Sequence, residues 1–238
     1  MGLSDYTTLS RQRGLSREMQ MIANNIANAA TTGYRQQGVI FSEYVQRSDA
    51  PGGSVSMSES EVKNTSFAQG TLTRTGGQYD FAIEGDGFFL IQTPGGERLT
   101  RAGSFIVSAA GDMVTPDGHT VLDAGGAPVF VPPDASDLAV GQDGTLSSNG
   151  APLGQLGVVQ PLNAGAMARE GGVLFRADDG YEPVDSPRVM QGFVENSNVE
   201  PILQVARMIE VQRAYEMGQN FLQREDERVR AAIKAFVK

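Results

Sequence analysis

The sequence predicts an α+β protein in which long N- and C-terminal helices pair as an antiparallel coiled coil around an inserted, mostly antiparallel β domain. Both ends carry apolar residues at helical spacing, whereas residues 48–194 hold 24 of the 29 glycines and 10 of the 11 prolines. An apolar stripe with a period near 3.5 residues selects another helix as its partner. We therefore divide the chain into an N-terminal axial helix (1–33), an extended linker or arm (34–66), a β domain (67–192) and a C-terminal axial helix (193–238).

The N-terminal helix is predicted from a seam of apolar residues at alternating steps of four and three. That spacing is typical of a coiled coil rather than of a general amphipathic face. The seam residues are Leu15, Met19, Ile22, Ile26 and Ala29. We expect the helix to end near 31–33, where Gly33 can adopt the left-handed conformation of a C-terminal cap.

Three asparagines, Asn24, Asn25 and Asn28, lie between the seam residues. Asparagine is a poor helix former, so a single helix gains little from them. One interpretation is that their amides bond across to other helices and set register and partner at some cost in stability. The alternative is a solvated polar face.

The segment 34–66 has two parts that differ in composition. Residues 34–46 mix aromatic and polar side chains, and residues 48–66 are rich in serine and glycine with little apolar content. Such a segment gains little from burial of its own side chains. We interpret it as an extended arm whose order depends on its neighbours.

The β domain is predicted from short apolar runs separated by turn residues. The runs are 79–83, 88–92, 105–108, 120–122, 128–131 and 156–160. Glycine-containing dividers such as Gly85-Asp86-Gly87, Pro116-Asp117-Gly118 and Asp143-Gly144 supply positive φ or a fixed φ near −65°. Many short strands at this spacing favour a compact antiparallel sandwich or barrel-like body.

The C-terminal helix is predicted from a heptad stripe. Residues 196–198 (Asn-Ser-Asn) are N-cap candidates, and Pro201 suits the first turn. The stripe consists of Met208, Tyr215, Leu222, Val229 and Phe236, at seven-residue intervals. A second line of residues runs beside this stripe (Val205, Val211, Gly218 and Ala232), and Gly218 weakens it. Ile209 and Ile233 widen the apolar face, which suggests contacts with more than one helix.

We predict that an assembly interface runs along both helices. Its residues are Leu15, Met19, Ile22, Asn24, Asn25, Ile26, Asn28, Val205, Met208, Ile209, Tyr215, Leu222, Val229 and Phe236.

Charge and composition limit the function further. Residues 48–194 contain 18 acidic and seven basic residues, which gives most of the net charge of −9 and argues against nucleic-acid binding. The chain has no cysteine, so disulfides, thiolate metal sites and thiol catalysis are excluded. We expect no cofactor.

The start of the chain lacks the basic segment and apolar run of a cleaved signal peptide. No stretch reaches the 18 apolar residues of a membrane span, so we expect no membrane insertion. A chain of this kind would leave the cytoplasm only through a dedicated machine that does not cleave it.

Two carboxylate pairs are the candidates for an enzyme, such as one that hydrolyses cell-wall glycan: Glu84 with Asp86, and Asp178 with Asp179. Asp86 and Asp179 each precede glycine, which favours solvated turns over catalysis. His119, the only histidine, lacks the partners of a triad or a zinc site. The sequence therefore predicts no catalytic and no metal site.

Three blocks of sequence carry a family resemblance. Residues 23–35 (ANNIANAATTGYR) resemble the N-terminal signature of the bacterial flagellar rod and hook axial proteins. Residues 80–89 (DFAIEGDGFF), with 100–105 (TRAGSF), are similar to the central block of the members that have a β domain. Residues 192–217 (GFVENSNVEPILQVARMIEVQRAYEM) resemble the family's C-terminal helix.

The resemblance implies a structural subunit of the flagellar rod, the drive shaft between motor and hook. The short body disfavours the hook branch, and residues 41–44 and the early C-terminus favour the proximal over the distal rod branch. The implied partners are copies of the chain, other rod proteins and the flagellar type III export apparatus. The implied location is the basal-body rod across the periplasm. A β-domain binding module and a glycan hydrolase are the alternative functions.

Overall fold

The computed structural model describes residues 3–46, 55–132, 135 and 137–236. It divides into two compact units. The helical unit comprises Met1–Ala27, Gln36–Ser66 and Glu200–Lys238, and the β domain comprises Asn28–Arg35 and Phe67–Val199. The predicted fold class is confirmed in two respects: the two terminal helices contact each other, and an antiparallel β domain is inserted between them.

The helical unit contains two helices and a β-hairpin. Helix α1 spans Leu3–Ala27 and helix α2 spans Pro201–Phe236. Strands β1 (Gln37–Gln46) and β2 (Val55–Thr65) pair antiparallel, and α1 contacts both of them. The segment predicted as an extended arm is thus extended and paired within the chain; its residues 47–54 lie outside the described part.

Helix α1 ends earlier than the sequence predicted, whereas α2 begins close to the predicted N-cap residues 196–198. After Ala27 the chain leaves the helix in two consecutive turns, in which the amides of Thr31 and Tyr34 donate to the carbonyls of Asn28 and Thr31. Gly33 has the predicted positive φ, +70°, but six residues beyond the helix end. At the other end of the chain, residues predicted as helix from 193 onward form a strand first.

The β domain consists of 16 short strands and one turn of 3-10 helix within the described residues. These are β3 (Leu72–Arg74), β4 (Phe81–Ile83), β5 (Phe88–Thr93), β6 (Gly96–Thr100), β7 (Ile106–Val107), β8 (Met113–Val114), β9 (Thr120–Val121), β10 (Leu138–Val140), β11 (Thr145–Ser148), β12 (Ala151–Gln155), β13 (Val158–Pro161), the 3-10 turn Ala164–Ala166, β14 (Ala168–Glu170), β15 (Leu174–Arg176), β16 (Tyr181–Pro183), β17 (Val189–Gln191) and β18 (Phe193–Glu195).

Every strand pair in the described residues is antiparallel. The largest sheet has the order β14-β15-β6-β5-β9-β8-β7, and β13 joins it by pairing with β5 and β16. Strands β10-β11-β12 form a second sheet, and β17-β4 and β18-β3 are separate pairs. The run 128–131 was predicted as a strand, but its contacts with both neighbouring segments are isolated bridges. Pro128 has no amide hydrogen to donate, which weakens a regular ladder there.

The turn predictions agree with the backbone. Gly85, Gly87, Gly118 and Gly144 all have positive φ, between +84° and +121°. Two apolar clusters fill the domain: a larger one that includes Phe89 in edge-to-face contact with Phe105, and a smaller one around Phe88, Leu99 and Phe175.

Acidification is expected to weaken the β domain through Glu170. This carboxylate accepts a 2.6 Å hydrogen bond from Arg98 Nε and pairs with Arg176. The hydrogen bond from Arg98, reinforced by the charges of both arginines, lowers the pKa of Glu170 below its ordinary value of 4.5. A carboxylate with a lower pKa in the folded state stabilises the fold above the unfolded pKa, and this contribution is lost as the pH falls below it.

Calorimetry of the full chain between pH 6 and pH 3 should therefore give a melting temperature that falls with pH. We expect the Glu170→Gln variant to decline less steeply, since it cannot lose the charge. Parallel curves for the two proteins would contradict this role of Glu170.

Candidate assembly interface

The helical unit is held together by a small apolar seam between α1 and α2. Leu15 and Ile22 of α1 are buried against Val211 of α2. The partly buried residues packed around them are Met19, Ile26, Met208, Ala214 and Tyr215. Contacts along the seam pair later residues of α1 with earlier residues of α2, so the helices run antiparallel.

Polar side chains fix the register of the two helices at three levels. Asn25 donates to Gln204 Oε1 at 3.1 Å, Arg207 donates to Glu18 Oε1 at 2.8 Å, and Gln12 donates to the Tyr215 carbonyl at 2.9 Å. A buried polar contact is lost if the helices slide, because its groups are left without partners. These contacts therefore oppose any shift of α1 along α2.

Asn25 makes more hydrogen bonds than the other side chains of this set. Its amide also donates to the Gln37 carbonyl at 2.7 Å and accepts from the Gln37 amide at 2.9 Å. The side chain is 1% exposed. One asparagine therefore connects α1 to both α2 and the start of β1.

Replacing Asn25 with alanine should destabilise the helical unit by about 2 kcal/mol, because the amide and carbonyl of Gln37 lose their partners in a buried site. Urea unfolding followed by far-ultraviolet circular dichroism measures the loss. Gln20→Ala, at an exposed position of the same helix, is the control and should stay within about 0.5 kcal/mol of wild type. Equal midpoints for the two variants would contradict this role of Asn25.

Gly218 allows Gln12 to approach α2. A Cβ atom at Gly218 would lie 1.9 Å from Nε2 of Gln12. In the heptad pattern, this glycine is a weak position because it offers no apolar side chain. The structure gives it a use, since its missing side chain leaves room for the amide that bonds the Tyr215 carbonyl.

Helix α2 is longer than its partner. It has 36 residues against the 25 of α1. On the register set by the Asn25–Gln204 and Gln12–Tyr215 contacts, Leu3 lies level with about Glu225. The last ten or so residues of α2, about 15 Å at 1.5 Å per residue, therefore extend beyond the start of α1.

This overhang carries the continuation of the heptad stripe. Val229 and Ile233 lie on the same side of α2 as Val211, which α1 covers, yet they are 50% and 57% exposed. The start of α2 also carries exposed apolar residues: Ile202, Leu203, Val205 and Ile209. These are two separate apolar faces, and an uncovered apolar face on a helix pair marks a contact with other helices.

The predicted interface residues fall into two groups. Those buried or partly buried between α1 and α2 are Leu15, Met19, Ile22, Asn25, Ile26, Met208 and Tyr215. Those exposed on the helical unit are Asn24, Val205, Ile209 and Val229, and Leu222 is partly buried. Asn28, like the predicted seam residue Ala29, lies past the end of α1, where its side chain accepts a 3.2 Å hydrogen bond from Thr31. Phe236 ends α2, and its side chain is outside the described part.

The β domain contains a buried charge cluster that the sequence analysis missed. Glu195 of β18 pairs with Arg35 and, at 3.0 Å, with Nε of Arg101. The side chains of Arg35 and Glu195 are each 1% exposed, and that of Arg101 is 3% exposed. We call this set the charge clamp.

Backbone groups complete the charge clamp. Arg35 donates to the Ala68 carbonyl at 2.9 Å, and Arg101 donates to the carbonyls of Gly87 and Gly85 at 2.7 and 2.6 Å. Glu195 Oε1 accepts from the amide of Gly70 at 2.9 Å. Burial lowers the pKa of Arg101 to about 10, against the opposing attraction of Glu195, so the guanidinium stays charged at neutral pH.

The clamp joins the two segments through which the chain enters and leaves the β domain. The Gly33 amide donates to the Glu195 carbonyl at 2.7 Å, and the Asn198 amide donates to the Tyr34 carbonyl at 3.3 Å. The predicted N-cap residues belong to this junction: Asn196 donates to Thr73 and Asn198 to the Ala68 carbonyl. The sequence did contain a signal for this cluster, because Arg35, Arg101 and Glu195 each lie in one of the three resemblance blocks.

The carboxylates considered for catalysis lie in surface ion pairs and hydrogen bonds. Glu84 pairs with Arg188 at 2.9 Å, Asp178 pairs with Arg176, and Asp179 accepts from Asn163 at 3.0 Å. Asp86 is exposed. His119 closes a turn with Thr115.

Within the described ranges, no group of three or more His, Asp or Glu side chains is arranged to hold a metal ion. In the same part of the chain, neither helix has an apolar stretch long enough to cross a bilayer.

Three family models match the chain in order. They are described as flagella basal body rod protein (residues 6–35), flagellar hook protein FlgE/F/G D1 domain (82–148) and flagellar basal body rod FlgEFG protein C-terminal (190–235). These ranges overlap all three blocks on which the resemblance rested, and so confirm it.

Relatives of known name match nearly the whole chain. The flagellar basal-body rod protein FlgF of Caulobacter vibrioides is 37% identical over 96% of both chains. FlgF of Mesorhizobium japonicum is 39% identical over 89% of this chain and 88% of its own. The rod protein FlgG of Bacillus subtilis is 30% identical over 93% of this chain and 94% of its own.

Proposed function

Because this chain belongs to the flagellar basal-body rod protein family, we propose that it is a structural subunit of the proximal rod, part of the shaft that transmits torque from motor to hook. The relatives named FlgF are 37–39% identical to it, whereas those named FlgG are 26–32% identical. This difference favours the proximal over the distal rod branch. The proposal assigns the chain no enzymatic activity.

The observation that carries the proposal is the uncovered overhang of α2. Val229 and Ile233 continue a stripe that α1 covers further along the helix. An apolar stripe of this kind is stabilised only when another helix covers it, and the described part of the chain has no α-helix besides α1 and α2. In the proposed assembly, helices of neighbouring rod subunits cover these residues and extend the pairing as a coiled coil.

The proposal includes a route and a place. We infer that the chain passes unfolded through the flagellar type III export apparatus without cleavage and assembles in the basal body, where the rod spans the periplasm. The acidity of the β domain would keep its surface hydrated. The partners are copies of the chain and other rod proteins, and the proposal needs no cofactor.

Replacing Val229 and Ile233 together with aspartate should abolish motility. Both side chains are exposed in the single chain, so the change should leave its melting temperature nearly unchanged while placing charges in the proposed helix contact. The measurement is swimming, and recovery of the chain in purified basal bodies, in a strain of the source bacterium that lacks its own copy.

Asn220→Asp with Ala231→Asp is the matched control. It adds the same charge to the opposite face of the same helix, at exposed positions. We expect this variant to restore motility. If both double variants restore motility, the overhang is not the basis of assembly. If the wild-type chain is absent from basal bodies, the proposed function itself is refuted.

A further inference from the structure

A groove lies on the helical unit beside the place where Gln12 meets Gly218. It is lined by Thr8 and Arg11 of α1 and by Ala214, Met217, Gly218 and Phe221 of α2, with a volume of about 320 Å³. Met217 and Phe221 are exposed along it. The groove is an apolar depression with one cationic side chain, Arg11.

A matching ridge lies near the start of α2. Ile202, Val205 and Ile209 follow one another at steps of three and four residues, which places them on one face of the helix. All three are exposed, Ile202 by 84%. Three apolar anchors at this spacing are the pattern with which a helix docks into a groove.

The charges beside the ridge and the groove are complementary. Glu200 is exposed beside Ile202. Glu210, which pairs with Arg207 at 3.1 Å, is exposed beside Ile209. Arg11 is exposed at the groove. The opposite signs favour one orientation of the ridge in the groove and disfavour contact between two ridges.

Ridge and groove cannot meet within one chain. Ile202 and Phe221 are 19 residues apart on a continuous helix, about 28 Å at 1.5 Å per residue. The two surfaces can therefore join only between copies. Joined in one direction they build an open series or a ring, whereas two reciprocal contacts would close a dimer. Such a series is the kind of contact that a rod requires.

We propose that the groove of Thr8, Arg11, Ala214, Met217, Gly218 and Phe221 receives the Ile202–Ile209 ridge of a second copy of this chain, head to tail. The inference rests on the proposed function and names one partner surface for it.

Engineered cysteines test the contact directly, because the chain has none of its own. Purified full-length Ile209→Cys and Met217→Cys variants, one carrying a size tag, are mixed and oxidised. We expect the mixed disulfide at least about tenfold above the disulfides of either variant alone. Gln219→Cys replaces Met217→Cys in the control mixture, since it is exposed on the other side of α2 and should give only the background yield.

Adding Phe221→Asp to the Met217→Cys chain should reduce the mixed disulfide about tenfold, because it places a charge in the apolar groove. Its melting temperature should change little, since Phe221 is exposed in the single chain. Unchanged cross-linking in this variant would overturn the proposal.

Other outcomes are equally decisive. Equal or greater disulfide yields from single variants would indicate a symmetric contact between like surfaces and overturn the head-to-tail arrangement. Cross-linking only after addition of another rod protein would overturn a second copy as the occupant. Absence of every cross-link, with the chain still present in basal bodies, would refute the groove and leave the proposed function standing.

Discussion

The Glu195→Gln variant should be the least stable single variant of the β domain, at a cost of about 3–5 kcal/mol. Glutamine keeps the shape of the side chain but removes the charge that lies between Arg35 and Arg101. Two guanidinium groups would then remain buried and repel each other. For a chain of this size, the loss corresponds to a fall in melting temperature on the order of 10 °C.

Scanning calorimetry of the full-length protein measures this fall. Glu182→Gln is the matched control, because Glu182 is an exposed carboxylate of the same domain that accepts a single hydrogen bond from Gln160. It should change stability by less than about 1 kcal/mol. If the two variants melt together, the charge clamp does not contribute to stability as inferred.

The second large effect is expected for Gly33→Ala, which should destabilise the β domain by more than about 3 kcal/mol. Gly33 has a φ of +70°, which costs an ordinary residue about 1–2 kcal/mol. In addition, a Cβ atom there would lie 2.2 Å from the amide nitrogen of Ala102 and 2.5 Å from the carbonyl carbon of Arg101. The backbone next to the charge clamp would have to move.

Gly76→Ala separates these two causes. Gly76 has nearly the same φ, +72°, but a Cβ atom would meet nothing within 4 Å. We expect a loss of only about 1–2 kcal/mol for this variant, from the backbone conformation alone. Chemical unfolding of both variants gives the comparison, and equal losses would show that the approach of Gly33 to Ala102 carries no cost.

Both predictions concern the same place, where the three resemblance blocks meet. Gly33 and Arg35 belong to the first block, Arg101 to the second and Glu195 to the third. The three motifs therefore have a physical role. They supply the buried charges, and the close packing of Gly33 on Ala102, that hold together the segments through which the chain enters and leaves the β domain. In the proposed rod, these segments connect the β domain to the helices that carry torque.

Several features followed from local sequence. The helical character of both ends, Pro201 in the first turn of α2, and the positive φ at Gly85 and Gly118 depend on residues a few positions apart. Periodicity and turn chemistry report on that range. The antiparallel β domain was predictable for the same reason, because its strands are short and separated by glycine turns.

Other features could not be read from local patterns. Residues 193–195 look compatible with the following helix, but pairing with β3 makes them a strand. Residues 55–65 have few apolar side chains, yet their backbone pairs with β1. In both cases the partner strand, rather than local propensity, decides the structure.

The sequence alone was enough for the two amphipathic ends, the acidic β body and the family, because composition, periodicity and motifs are properties of neighbouring residues. Only the tertiary structure decided the register of α1 on α2, and with it which apolar residues remain uncovered. Asn25 finds Gln204 at a distance of 179 residues along the chain. Nothing local specifies such a partner, and the overhang, the groove beside Gly218 and the charge clamp all follow from contacts of that range.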